Sequence, residues 1–344
     1  MLLVTGATGH LGANLVRRLI ADGEAVRVLL RRQGGDLAVH GLALERVFGD
    51  VRDPPSLIAA TKGCSGVYHC AALISTIAGS EQEIFETNVL GTRNLLQAAA
   101  QNGVGRIVVT GSLGAVGLRR NGLTDETVPF NPFEHHLPYA FSKAAVEHEC
   151  LKAAADGLDV VIAVSCAILG PNDFEPSRMG QLLINFSRRR LRAYVPGGFE
   201  FVAARDIVEG HLLAMRKGRR GHKYIFSTEY LSMDELMRLY SDVTGQPMPP
   251  LRLPAKVMMG VAYMGELNER ISGKRQLLTR AAVRLLQRRQ KVDCAKARRE
   301  LGYQPGSIAE AVREAYECFI ARGVIERTRA TTYADYMPRR EPAC

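Results

Sequence analysis

The sequence predicts an α/β fold: a doubly wound parallel sheet of the Rossmann type, with a smaller, mainly helical C-terminal substrate region. Three features carry this reading. Short β-branched runs alternate with amphipathic helical patterns through the first half, a glycine-rich turn joins the first strand to the first helix, and the rhythm breaks down after about residue 166. Strand patterns lie at 1–5, 25–30, 45–48, 66–70, 106–110 and 160–165, with helical patterns between them at 11–21, 84–102 and 139–155. Strands joined by helices of this length form right-handed βαβ units and a parallel sheet covered on both faces. Beyond the break, Gly170-Pro171-Asn172-Asp173 is a turn cluster, followed by helical patterns at 180–190, 232–244, 254–265 and 276–290. The expected division is a dinucleotide-binding domain over 1–165 and about 200–225, and a substrate region over about 166–199 and 226–325. Residues 326–344 read as a polar tail.

Composition narrows the class. At 344 residues, 47% hydrophobic and 23% charged, the chain has ordinary globular proportions, which excludes collagen-like, disordered and disulfide-scaffold proteins. No apolar run approaches the ~20 residues a bilayer span needs. The N-terminus enters a strand pattern at once and has no charged leader region, so no cleaved signal is expected. Seven scattered cysteines without a Cys-x-x-Cys pair read as reduced thiols, which predicts a cytoplasmic protein. No His/Cys/Asp cluster has ligand spacing, so no metal is expected.

The net charge of +10 is unevenly placed. Residues 1–165 carry 14 Lys/Arg against 16 Asp/Glu, a net of −2, whereas residues 166–344 carry 31 against 19, a net of +12. One reading is an anionic ligand (a carboxylate, phosphate or coenzyme A ester) or an acidic membrane surface; the other is a solvated basic face. Nucleic acid is not an expected partner, because no recognisable binding module accompanies the charge.

Thr5-Gly6-Ala7-Thr8-Gly9-His10-Leu11-Gly12 follows a strand and opens a helix. Gly6, Gly9 and Gly12 permit the tight turn, the approach of backbone to a pyrophosphate and close helix–strand packing. The phosphate charge then rests on the N–H groups of the helix N-terminus. At the end of the second strand stands Leu30-Arg31-Arg32-Gln33, with no acid to accept from an adenosine ribose. Arg31 and Arg32 favour the additional phosphate of NADP(H), with NAD(H) the other possibility and solvated arginines the plain reading. Asp50, in Gly49-Asp50-Val51-Arg52-Asp53, is a candidate acceptor for the adenine amino group, or simply part of a strand-end turn.

Tyr139 and Lys143 stand four residues apart on a predicted helix and so share a face. An ammonium there lowers the cost of a phenolate, which lets Tyr139 pass a proton to or from a reacting oxygen. Ser112 follows the fifth strand at its carboxyl end, placed to hydrogen-bond the same oxygen.

Together these motifs resemble the extended short-chain dehydrogenase/reductases, over nearly the whole chain to about Gly323. The resemblance also rests on His69-Cys70-Ala71-Ala72, Asn88-Val89-Leu90-Gly91-Thr92, Gly170-Pro171 and Lys296-Ala297-Arg298-Arg299-Glu300-Leu301-Gly302-Tyr303. It implies a Ser112–Tyr139–Lys143 triad, with Tyr139 and Lys143 also among the cofactor-binding residues, Lys143 on the nicotinamide ribose, and Asn88 supporting the site. It places Thr8, Gly9, His10 and Leu11 around the pyrophosphate, and Ala71, Ala72, Val51 and Ile168 along the cofactor. It implies a homodimer that pairs the helices at 84–102 and 139–155. Nucleotide-sugar members carry a phosphate-binding Arg where this chain has Phe199, and many relatives have Pro where it has Ser165. The Arg31-Arg32 pair and the stretch 254–285 look more like the dihydroflavonol reductase and 3β-hydroxysteroid dehydrogenase-like branch, which includes bacterial proteins labelled hopanoid-associated sugar epimerases.

The expected activity is therefore an NADP(H)-dependent carbonyl reductase or hydroxyl dehydrogenase. Its small-molecule substrate is apolar (steroid-like, flavonoid-like or keto-acyl), with room for an anionic group. An epimerase or dehydratase with retained cofactor needs the same triad and is the alternative; a non-catalytic NADP-sensing protein is a third. Residues 118–138, with Phe130, Phe133, His135 and His136, should border the site. Met248, Met258, Met259 and Met264 read either as a pocket that adapts to a bulky apolar ligand or as a core stripe.

Overall fold

The structure, a computed structural model, describes residues 1–31, 36–74, 79–119, 121–133, 138–272 and 280–327. The chain begins β1 (Leu2–Thr5), α1 (His10–Ala21), β2 (Val26–Leu30), β3 (Glu45–Phe48), α2 (Pro54–Thr61) and β4 (Gly66–His69). It continues α3 (Glu81–Ile84), α4 (Gly91–Gln101), β5 (Arg106–Ser112), α5 (Pro138–Ala155), β6 (Val160–Ser165), β7 (Ala167–Leu169) and α6 (Arg178–Ser187). Next come β8 (Ala193–Tyr194), β9 (Gly198–Ala203), α7 (Ala204–Lys217), β10 (Lys223–Phe226), β11 (Glu229–Ser232) and α8 (Met233–Thr244). The last elements are β12 (Leu251–Arg252), α9 (Ala255–Ser272), α10 (Arg280–Gln287), α11 (Ala295–Leu301) and α12 (Ile308–Ala321).

Seven parallel strands form the central sheet in the order β10-β6-β5-β4-β1-β2-β3. The order reverses around β1 and β4, so the carboxyl ends of β1, β4 and β5 open into one crevice, where such sheets hold ligands. Every residue of β4 and β6 is buried; in β6 this gives the continuous run Val160-Val161-Ile162-Ala163-Val164 rather than an alternation, whereas β4 buries Tyr68 and His69 as well. β9 pairs in parallel with β7 and antiparallel with β11, and β12 pairs with β8.

The apolar interior divides into two clusters. One fills both faces of the central sheet and takes in Cys294, Ala297, Leu301 and Tyr303 from near the C-terminus. The other packs α6, α8, α9, α10 and α12 beside the small sheets. Met258 belongs to this second core, and Met248 and Met259 pack against it, so three of the four clustered methionines follow the core-stripe reading; Met264 faces solvent.

The helical pattern at 84–102 is not one α-helix. α3 gives way to a π-helical turn over Phe85–Leu90 before α4 begins. Such turns concentrate at functional sites, and this one carries Asn88. The pattern at 276–290 is helical over Arg280–Gln287.

β10 ends the sheet. Its outward Ile225 N–H donates to Glu126 Oε1 at 2.8 Å, and its outward Lys223 carbonyl accepts from Lys296 Nζ at 2.7 Å. Side chains from a loop and from α11 thus occupy the positions another strand would take.

Candidate active site

The glycine loop is close-packed backbone. Gly6 adopts φ +70°, and a Cβ there would fall 2.5 Å from Ala71 N. A Cβ on Gly12 would fall 2.1 Å from the Gly6 carbonyl oxygen, so α1 lies against the loop as only glycine permits. Gly9 N–H donates to the Gly6 carbonyl at 3.1 Å, which turns the loop into α1 and leaves the first N–H groups of that helix open. Thr8 and Leu11 flank the turn. His10 and Asn14 donate to the Pro171 carbonyl at 3.0 and 2.9 Å and strap the loop to the Gly170–Asp173 turn. Because a carbonyl can only accept, His10 Nε2 carries a proton; its Nδ1 is buried without a partner. A cradle whose side-chain space is already filled by backbone, with a helix N-terminus behind it, fits a dinucleotide pyrophosphate.

Arg31 is exposed directly after β2, and its charge helps hold the Asp50 carboxyl below its usual range. The larger cause is Arg52, which grips both Asp50 oxygens at 3.0 and 2.8 Å, so an adenine amino group would use their second lone pairs. Arg32 lies outside the described residues, as do His135 and His136. Ala71 and Ala72 are half-buried after β4, and Val51 is buried under α4, where its side chain fills the space beside Gly91. Ile168 sits on β7, paired with Val202 of β9.

β5 and α5 bring Ser112, Tyr139 and Lys143 together. Ser112 Oγ accepts from Gly114 N–H at 3.2 Å, so its own proton is free to donate to the Tyr139 hydroxyl. Burial pushes the Tyr139 phenol up to about 12, and the bond from Ser112 acts in the opposite direction. Lys143 is 5% exposed, and its Nζ donates to the Thr110 carbonyl at 2.8 Å. Burial pulls its ammonium down to about 8, against the nearby Cys150, Cys70 and Glu147.

Asn88 is clamped. Its Oδ1 accepts from Leu73 N–H at 2.7 Å, and its Nδ2 donates to the Leu73 carbonyl at 3.1 Å and to Ser142 Oγ at 3.0 Å. The segment after Ala71-Ala72 is thereby tied to the π turn and to α5.

Sequence reasoning missed the polar supports beneath these groups. Thr5 Oγ1 accepts from Ala71 N–H and donates to His69 Nδ1 at 2.7 Å. His69 Nε2 then donates to Thr92 Oγ1 at 3.0 Å, which donates to the Asn88 carbonyl at 2.6 Å. His211 Nδ1 donates to the Ile207 carbonyl, and its Nε2 accepts from Thr110 Oγ1 at 2.9 Å, fixing the strand whose carbonyl holds Lys143. Burial keeps both histidines neutral at physiological pH: His69 is pulled down to about 3 and His211 to about 4. A histidine on the apolar face of the 204–217 helix was the available signal for His211.

A doubly wound sheet with a glycine cradle and a Ser-Tyr-Lys group at its carboxyl edge defines a nicotinamide-dinucleotide enzyme class. The model of the NAD dependent epimerase/dehydratase family matches residues 2–226. The chain belongs to that family and is an extended short-chain dehydrogenase/reductase. It is 43% identical over 325 residues to the sterol demethylase protein B of Methylococcus capsulatus, covering 94% of this chain and 99% of that protein. It is 32% identical over 330 residues to a 3 beta-hydroxysteroid dehydrogenase/Delta 5-->4-isomerase of Mycobacterium tuberculosis, covering 88% of this chain and 85% of that protein. The dTDP-glucose 4,6-dehydratase DesIV of Streptomyces venezuelae, solved with NAD bound, matches with a TM-score of 0.77 at 27% identity, covering 94% of this chain and 98% of that one.

Proposed function

We propose that this chain is an NADP(H)-dependent carbonyl reductase or hydroxyl dehydrogenase acting on an apolar, steroid-like, flavonoid-like or keto-acyl substrate. The observation that carries the reading is Phe199: an apolar ring stands where nucleotide-sugar members place a phosphate-binding arginine. It packs edge-to-face on Phe201, with ring centroids 6.2 Å apart. Relatives named for sterol and steroid chemistry add support.

When bound, the nicotinamide supplies or accepts the hydride at the substrate carbon. In the reductive direction the Tyr139 phenol, protonated at any physiological pH, gives its proton to the carbonyl oxygen. Ser112 orients that oxygen and stabilises its developing charge, and solvent restores the proton to Tyr139. Thr110 and His211 hold Lys143 under the site, where its ammonium favours the phenolate left behind. A homodimer through the helices at 84–102 and 139–155 belongs to the same reading; Phe85 and Phe141, 43% and 48% exposed, offer apolar surface there.

Two dependences follow. Arg31→Ala raises KM for NADPH by about tenfold, the scale of one charge-assisted hydrogen bond, and leaves KM for NADH unchanged; equal effects on both cofactors would remove the phosphate role. Because Lys143 sits at about 8, kcat/KM for the cofactor, which reports free-enzyme ionisations, is flat below that pH and falls above it as the ammonium is lost. A profile still flat well above that pH would overturn the assignment.

The deciding experiment follows stoichiometric NADPH oxidation with steroid, flavonoid and 3-keto acyl compounds and with nucleotide sugars. Steady consumption by one apolar ketone class is the expected result. A nucleotide sugar changed without net consumption would move the reading to the epimerase or dehydratase chemistry that the likeness to DesIV represents.

A further inference from the structure

We propose that the outer face of α9 is a membrane-docking surface that seats this protein on an anionic lipid bilayer. The helix is apolar on two faces. Met258 and Ala262, 7% and 0% exposed, point into the second core. About a third of a turn away, on the solvent side, Val257, Val261 and Met264 form an i, i+4, i+7 stripe, and they are 51%, 41% and 64% exposed. Gly260 adds no polar group between them, and Tyr263 beside them is 54% exposed. A surface helix of a globular protein places charged and polar side chains on this side. Five of the fifteen large apolar side chains exposed among the described residues lie within the short stretch from Leu251 to Met264. A concentration of this kind marks a binding surface rather than ordinary scatter.

Charge identifies the occupant. The described side chains of 252–291 include seven Lys/Arg and no Asp/Glu, and of these Arg252 pairs with Asp234 at 2.8 Å. Lys256 is exposed at the edge of this face, on the same line of α9 as Tyr263, and the Arg280 guanidinium of α10 lies 5.2 Å over the Tyr263 ring. A second copy of the chain would bring this basic stretch against itself, and like charges across an interface are strongly unfavourable. An anionic bilayer meets both properties at once: aliphatic side chains enter the acyl boundary, Tyr263 sits at headgroup depth, and the cations lie against the phosphates. None of the described helices is long and apolar enough to cross a membrane, so the attachment is interfacial.

This inference is independent of the redox reading, because its readout needs no turnover. The full chain is sedimented with vesicles of equal parts phosphatidylglycerol and phosphatidylcholine, and with pure phosphatidylcholine vesicles. Retention on the mixed vesicles is expected to be at least about tenfold stronger and to weaken as salt is raised. The double variant Val257→Asp/Val261→Asp, changed only at exposed positions, is expected to lose retention by at least about tenfold with an unchanged melting temperature. Lys256→Glu is the second variant should the double one fail to fold, and it too lowers retention. No retention on anionic vesicles, retention indifferent to these substitutions, or a change in self-association alone would overturn the proposal; the last would identify a second copy as the occupant.

Discussion

Tyr139→Phe lowers the turnover of an accepted ketone by about 10³-fold, within the range that a positioned proton donor contributes. The phenyl ring keeps the packing of α5 against the Ser112 strand, so folding holds, and the glycine loop and Lys143 retain most of the cofactor affinity. Ser112 loses an acceptor but retains its bond from Gly114 N–H. What disappears is the hydroxyl bonded to Ser112, whose burial holds its proton up to about 12. Rate measurement under saturating NADPH, beside a cofactor titration, separates the two effects. A variant that keeps most of its rate would remove Tyr139 from proton transfer. A variant that loses rate and cofactor affinity together would make it a structural residue. The same substitution also silences an epimerase, so it tests the site and leaves the substrate class to the ketone panel.

Gly12→Ala weakens NADPH binding by at least about a hundredfold, or ~2.7 kcal/mol. The new methyl would lie 2.1 Å from the Gly6 carbonyl oxygen and 2.8 Å from the Ala7 Cα, both backbone atoms that no rotamer change can move aside. α1 must tilt away from β1, carrying with it the N–H groups that face the phosphates. Overpacking of this kind also costs ~1–3 kcal/mol of stability. Fluorescence titration of NADPH and denaturant unfolding read the two losses separately. Unchanged affinity in the variant would mean that the pyrophosphate does not rest on this loop.

The parts of this molecule that sequence reveals are those written in one short stretch. The glycine cradle spans eight consecutive residues, and Tyr139 and Lys143 sit one helical turn apart, so spacing alone places them. β6 was legible because a strand buried on both faces is almost uniformly apolar. β10 was not: Lys223-Tyr224-Ile225-Phe226 follows a basic run and is too short to show a period. The small sheet was hidden for a different reason, since β7, β9 and β11 all lie beyond the break in rhythm, far apart in sequence, and each is only three to six residues long. The π turn at Asn88 keeps a helical pattern while changing its hydrogen bonds, which apolar periodicity cannot register. The supports of Lys143 join residues 33 and 101 positions apart, and no local string encodes such partners. The methionines left two readings open, since a composition that suits an adaptable pocket suits a core equally well, and Met258 went to the core.

The closing of β10 sets a lower limit on how much of this chain can stand alone. The family match ends at residue 226, the last residue of that strand, and a fragment cut there would look complete by homology. Lys296, which covers the Lys223 carbonyl, would be gone, and with it the Cys294, Ala297, Leu301 and Tyr303 side chains that belong to the first core. Such a fragment would present an unguarded strand to its neighbours and grow by adding copies of itself, edge to edge. The C-terminal residues therefore finish the domain that precedes them, and the boundary between the two halves cannot be drawn as a single point along the chain.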